Sequence, residues 1–156
     1  MELGENAAKQ AGELAEKHFR EDKHSCAEAV IRGALEAAGK DCPLDLVKLG
    51  SPFGRGMGGG GCACGALVGA QIVQSLFFGR ESADGPPPDR CAKASRLLHD
   101  RFKHAHKATC CRILRKGLVF GSPEQIAACA AKAGSAATLA LEVIKELLED
   151  AQAEGG

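Results

Sequence analysis

Cysteine is the residue type with the most chemistry to offer here: eight occur, at Cys26, Cys42, Cys62, Cys64, Cys91, Cys110, Cys111 and Cys129. Thiolates bind soft metals and attack disulfides, so their placement matters more than their number. A tract of glycines, GSPFGRGMGGGG over residues 50–61, runs into Cys62-Ala63-Cys64. Backbone of that composition can adopt positive φ and let two thiols and several amide N–H groups converge. Cys64 opens a predicted helix, whose N-terminal N–H groups and dipole favour a thiolate. Cys26 follows a capping serine at the start of another helix and gains the same bias. Cys110 and Cys111 open a short helix beside Arg112 and Arg115. Cys129 lies among Ala127, Ala128, Ala130 and Ala131, whose small side chains leave room for another segment or a cluster.

Two chemistries follow. In the first, Cys62, Cys64, Cys111 and Cys129 ligate an iron–sulfur cluster of unspecified type, with Cys110 or Cys26 as alternates, for electron transfer or redox sensing. The backbone at Gly60, Gly61 and Gly65 would then surround the cluster and hydrogen-bond its sulfurs. In the second, no metal is bound, and Cys26 or Cys64 is a redox thiol in disulfide exchange or sulfur transfer, with another cysteine resolving. A structural zinc site is a third, poorer reading, because scattered helix-borne cysteines do not resemble zinc knuckles. No C-x-x-C pair, bacterial ferredoxin run or C-x-x-C-H occurs. Cys42 reads as a small buried hydrophobe, while for Cys91 that reading and a functional one stand level. The five histidines, His18, His24, His99, His104 and His106, read as solvated or satisfied side chains, with His104 and His106 as reserve ligands. The glycine tract lacks the terminal Gly-Lys-Ser/Thr of a phosphate loop.

These residues need helices to position them. Helix formers abound, Trp and Tyr are absent and β-branched residues are sparse, which predicts an all-α fold. Ala8, Ala11, Leu14, Ala15 and Phe19 recur at helical spacing over 5–20. Ser25 and Glu28 form an S-x-x-E capping box opening a second helix that stops at Gly39. Pro43 starts a short turn of helix through Lys48. The central helix runs from about Cys64 to Phe78, with Gly65/Gly69 and Ala66/Ala70 on faces suited to close packing. Residues 85–88 form a linker, and a fourth helix covers 89–107. Cys110 to Lys116 form a short helix stopped by Gly117. Ser122, Pro123 and Gln125 suggest a second capping box for the last helix, to about Gln152, before a frayed tail at 153–156. The expectation is one domain, residues 1–156, a bundle of about five main helices with the Gly-rich loop before the central one.

Twenty Lys and Arg balance twenty Asp and Glu. That removes the electrostatic reason to expect a nucleic-acid or anionic-membrane partner. The longest apolar stretch, Cys62 to Phe78, is interrupted by Gln71, Gln74 and Ser75 and reads as a buried helix, so no membrane role is expected. The first twenty residues are charged and carry no apolar signal core. With that many thiols, this predicts a reducing, cytoplasmic setting. An unknown redox partner protein and a homodimer through the Ala-rich helices are further expectations.

The order of motifs resembles a known family. Cys26-Ala27-Glu28-Ala29-Val30, the Gly-rich loop into Cys64-Gly65-Ala66-Leu67-Val68-Gly69-Ala70, then Cys111-Arg112-x-Leu114, then Cys129, is similar to the C_GCAxxG_C_C family of redox-active proteins. The likeness spans nearly the whole chain and implies a redox role without fixing a substrate. The stretch LHDRFKHAHKATCCR, residues 98–112, also resembles the C-terminal region of split-Soret cytochromes, which implies a link to an iron–sulfur cluster. The haem-binding portion of those proteins has no counterpart here. Within the family pattern, Cys62 competes with Cys64, and Cys110 with Cys111, for the functional position.

Overall fold

Local capping sets where several helices begin. Ser25 Oγ accepts from the N–H of Glu28 (3.3 Å) and the Glu28 carboxylate accepts from the N–H of Ser25 (2.9 Å), so the expected box is complete. The helix it opens ends at Ala37; Gly39, at φ 66°, turns the chain so that Lys40 N–H reaches Leu35 O. The computed structural model describes residues 2–156. Its seven helices are α1 (Ala7–Arg20), α2 (Cys26–Ala37), α3 (Leu44–Lys48), α4 (Gly65–Phe78), α5 (Asp89–His106), α6 (Cys111–Leu114) and α7 (Pro123–Glu154). A 3-10 turn covers Ser51–Phe53. The fold is all-α, with five long helices and two short ones; the described residues hold no strand beyond one isolated bridge, Ala63 opposite Cys110. The last helix runs two residues past the predicted Gln152.

α7 is the spine. Its inward stripe of Ala130, Ala133, Ala137, Ala140, Leu141 and Ile144 is fully buried. α1, α2, α4 and α5 all pack against it. α7 is also long and apolar enough, by length and composition, to cross a bilayer; here that apolar stripe forms the core. Small residues set the spacing of the others. A Cβ on Gly33 of α2 would stand 2.5 Å from the backbone N of Ala15 in α1, and one on Gly69 of α4 would stand 2.6 Å from Ala27 O in α2. The helices therefore touch backbone to backbone, as the runs of Ala and Gly imply. Polar ties fix the outer helices: Gln71 to Ser95 (2.9 Å) links α4 to α5, and Arg101 to Glu146 (2.6 Å) links α5 to α7.

The Gly-rich loop has a definite shape. Gly54–Met57 closes a helical hydrogen bond, Gly58 N–H to Gly54 O at 2.9 Å, but with the left hand. Arg55 lies at φ/ψ 57°/30°, Gly56 at 70°/70°, and Met57 and Gly58 at φ 68°. For residues with a Cβ this hand costs about 1–2 kcal/mol each. Two non-glycine residues in such a turn are a local strain that the surrounding contacts must offset.

Candidate functional site

Four cysteines from four elements line one cavity of about 640 Å³: Cys26 at the start of α2, Cys64 capping α4, Cys111 at the start of α6 and Cys129 on α7. Each arrives by a different local device. The Ser25 box fixes the first turn of α2 and hence Cys26. α4 lies close on α2 because Gly65 and Gly69 face it, and a Cβ at Gly65 would stand 2.5 Å from the Cys26 sulfur. That brings Cys64 beside Cys26. Cys111 is delivered by the bridge: Cys64 N–H donates to Thr109 O (2.8 Å), Cys111 N–H to Cys62 O (2.6 Å) and Arg112 N–H to Gly61 O (3.0 Å). The left-handed turn wraps behind it; a Cβ at Gly56 would stand 2.4 Å from Cys111 Cβ. Cys64 and Cys111 are each only 7% exposed.

Several donors face these sulfurs. Gln125 Nε2 donates to Cys129 Sγ at 3.0 Å. The backbone N–H of Arg55 points at Cys26, and those of Leu67 and Ala66 at Cys64, each favouring the thiolate. Burial outweighs them. It pushes the Cys26 thiol up to about 12, the neighbouring Cys64 adding to it. Burial likewise raises Cys64 above the ordinary thiol range. At neutral pH both are protonated thiols in this arrangement. The helix N-termini therefore do not produce free thiolates there, because desolvation is the larger effect.

The cavity mouth carries positive charge. Lys23, Arg55, Arg115 and Lys132 line it, and its one carboxylate, Glu28, is spent on Ser25 N–H and on Ser51 (2.6 Å). Phe120 lines the cavity with the Arg55 guanidinium 4.1 Å from its ring centre and that of Arg115 at 5.8 Å, two cation–π contacts. Arg115 Nε is buried without a partner.

The other cysteines are placed elsewhere. Cys62 is exposed, its sulfur 3.9 Å from Gly60 O, and does not line the cavity. Cys110 donates to Gly61 O at 3.0 Å and also lies outside the cavity. So at both doubled positions it is the second member, Cys64 or Cys111, that faces inward. Gly65 lines the cavity, whereas Gly60 and Gly61 lie on its outer side against Cys62 and Arg112. Cys42 and Cys91 pack against the core. The reserve ligands are also placed apart: His106 bonds Ser135 (2.9 Å) and packs at a tilt against Phe102, and His104 is exposed. His24 lines the cavity, but its Nε2 accepts from Arg32 (3.0 Å).

Two contributors were not foreseen. Gln125 was expected to complete a box with Ser122. Ser122 Oγ does cap Gln125 N–H (3.2 Å), but the Gln125 carbonyl oxygen takes the N–H of Gly121 (2.9 Å), which turns its amide toward Cys129. The only signal was the i, i+4 spacing of a polar residue before a cysteine. Arg55 contributes its backbone as well as its charge, which composition alone does not disclose.

The donor set is four soft thiols, one from each of four elements, around one cavity. Among the described residues, no three His, Cys, Asp or Glu side chains stand close enough to share one metal ion. The pattern described as "Putative redox-active protein (C_GCAxxG_C_C)" matches residues 24–143. No curated protein and no solved structure matches the chain.

Proposed function

The chain belongs to the C_GCAxxG_C_C family of redox-active proteins, and from that premise we propose that it holds an iron–sulfur cluster through Cys26, Cys64, Cys111 and Cys129, for electron transfer or redox sensing. The observation that carries this reading is the shared cavity: residues 26, 64, 111 and 129, distant in sequence, present their thiols to one space. Its volume accommodates more than the sulfurs, and small residues, Gly65 and Ala66 among them, form part of its wall.

When bound, such a cluster supplies a one-electron couple. The residues of the chain set its environment. Gln125 and the backbone N–H groups near Cys26 and Cys64 stabilise negative charge on sulfur. Lys23, Arg55, Arg115 and Lys132 offset the charge of four thiolates. Phe120 and its two arginines line the same cavity. Raised thiols are compatible with this role, because ligation displaces the proton that burial otherwise retains. The same burial opposes the metal-free alternative at Cys26 or Cys64, which needs a thiolate ready to attack. Electron transfer calls for a redox partner protein, and a reducing compartment is the natural setting for eight free cysteines.

The visible spectrum of anaerobically purified protein tests the proposal. Without Trp or Tyr the chain adds little absorbance of its own, so sulfur-to-iron charge transfer stands clear. A brown sample containing iron and acid-labile sulfide supports the cluster. A sample that stays colourless and iron-free after anaerobic reconstitution with iron and sulfide contradicts it.

A further inference from the structure

The segment that delivers Cys111 to the cavity leaves large apolar side chains in solvent. Cys111 is buried, yet Ile113, two residues on, is 61% exposed, and Val119 and Phe120 are 74% and 54% exposed. Contacts tie this segment to the Gly-rich tract. Arg112 donates to Gly60 O (3.1 Å), and the Arg55 guanidinium lies on the Phe120 ring. Met57, two residues from Arg55, is exposed, and so is Ile126, which lines the cavity with Phe120. Eight large hydrophobics are exposed among the described residues, and these five of them belong to the elements around the cavity. Scattered exposed apolar residues are ordinary, whereas a gathered set marks an interaction surface.

Charge is divided the same way. From Arg101 to Pro123 the chain carries Arg101, Lys103, Lys107, Arg112, Arg115 and Lys116 and no Asp or Glu. Among the described residues, Arg101 alone of these six is paired with a carboxylate, that of Glu146. On either side of the run, Asp100 is held by Arg96 (2.8 Å), and Glu124 opens α7. Glu142, Glu146, Glu149, Asp150 and Glu154 lie at the other end of α7, so a net charge of zero conceals a polarity along the molecule.

We infer that the exposed face of residues 111–120, with the Met57 turn beside it, is the docking surface for an acidic electron-carrier protein of the ferredoxin or flavodoxin class. The inference rests on the cluster reading, which requires a route for electrons. Apolar side chains interspersed with arginine and lysine are the composition of a protein interface. Unpaired cations steer an acidic partner to it and fix its orientation. The placement suits electron exchange, because Cys111 and Ile113 share one turn of α6. A carrier seated on Ile113 lies against the turn that holds a ligand sulfur.

The test titrates the anaerobically reconstituted chain with two probes, an acidic bacterial ferredoxin and an acidic flavodoxin, then joins the complexes with a carbodiimide that links lysine to carboxylate. Binding should weaken at least about tenfold from low to high salt, as screening of charge requires. Cross-links should fall on Lys116 and Lys107. Lys116→Glu and Val119→Ser, both at exposed positions, should each weaken binding about tenfold, while Lys9→Glu, on α1, should not. Binding of neither carrier at low salt, cross-links at Lys9 or Lys145 instead, or indifference to both Lys116→Glu and Val119→Ser would overturn the proposal. So would stronger capture of the chain by phosphatidylglycerol vesicles than by either carrier, which would make the surface a lipid contact. The titration reads binding rather than colour. A colourless chain that still captures the carriers through Lys116 refutes the cluster and not the surface, and an iron-loaded chain that captures neither refutes the surface and not the cluster.

Discussion

The sulfur of Cys26 lies directly over Gly65: a Cβ at that glycine would stand 2.5 Å from Sγ and 2.6 Å from Phe53 O. The one atom that Gly65 lacks thus decides both how closely α4 approaches α2 and whether Cys26 can face Cys64.

Gly65→Ala is therefore expected to weaken the fold and the site together. Overpacking of a tight contact costs about 1–3 kcal/mol, which urea unfolding of the metal-free protein will read. Iron bound per chain should fall in the same variant. Gly117→Ala, at a glycine with open space around it but φ 81°, is a control that strains the backbone without touching the site.

Burial of thiols makes the metal-free protein sensitive to alkali. Cys26 is held near 12 in the fold against an ordinary value of 9.0, and Cys64 is raised in the same direction. The unfolded chain loses these protons first, so the folded state binds more protons above 9, for Cys26 up to about 12. Stability is then full below the ordinary thiol value and declines as pH rises through that window, by up to about 1.4 kcal/mol per pH unit for each such thiol. Urea midpoints of the reduced, metal-free protein should drop from about pH 8 to about pH 10. Cys26→Ser should flatten the decline, and a wild-type midpoint that holds constant would contradict the assignment.

Thiol reactivity should follow exposure. Cys62 is exposed, whereas Cys64 and Cys111 are each 7% exposed. Timed iodoacetamide labelling of the reduced, metal-free chain should modify Cys62 first and Cys64 and Cys111 last. Labelling of Cys111 before Cys62 would show that α6 does not close the cavity as described.

Gln125 offers a test of tuning. It is 5% exposed and donates to Cys129 Sγ at 3.0 Å. Donors to ligand sulfur favour the electron-rich, reduced state. Gln125→Leu should lower the reduction potential of the loaded protein while leaving its iron content near wild type. Loss of the Gly121 bond should cost about 0.5–1.5 kcal/mol in stability. An unchanged potential would mean that this amide serves only the turn before α7.

The fold was legible where its causes are local. Ser25 with Glu28, and Ser122 ahead of Pro123, announce helix starts because capping depends on residues three apart. The Gly65/Gly69 spacing announced a close-packed face, though not that α2 would fill it. The site was legible in composition and less so in membership. Nothing in the spacing tells Cys62 from Cys64, two residues apart, because the choice is made by a pairing with residues 109–112 far along the chain. Cys26, read first as a redox thiol and as a substitute ligand, stands among the cavity cysteines through helix packing that no short window contains. The glycine tract advertised freedom but not hand, and the left-handed placement of Arg55 and Met57 runs against the preference of those residues. Desolvation was the misjudged magnitude: a helix N-terminus favours a thiolate, but less than burial disfavours it at Cys26.

Iron and acid-labile sulfide per chain, measured after anaerobic reconstitution across single Cys→Ser variants, tests the four-thiol site most directly. Substitution at 26, 64, 111 or 129 should each sharply reduce bound iron and bleach the visible bands, while Cys42→Ser, Cys62→Ser, Cys91→Ser and Cys110→Ser should retain both. Full iron in the Cys129→Ser and Cys26→Ser variants, with loss at Cys62→Ser or Cys110→Ser instead, would contradict it.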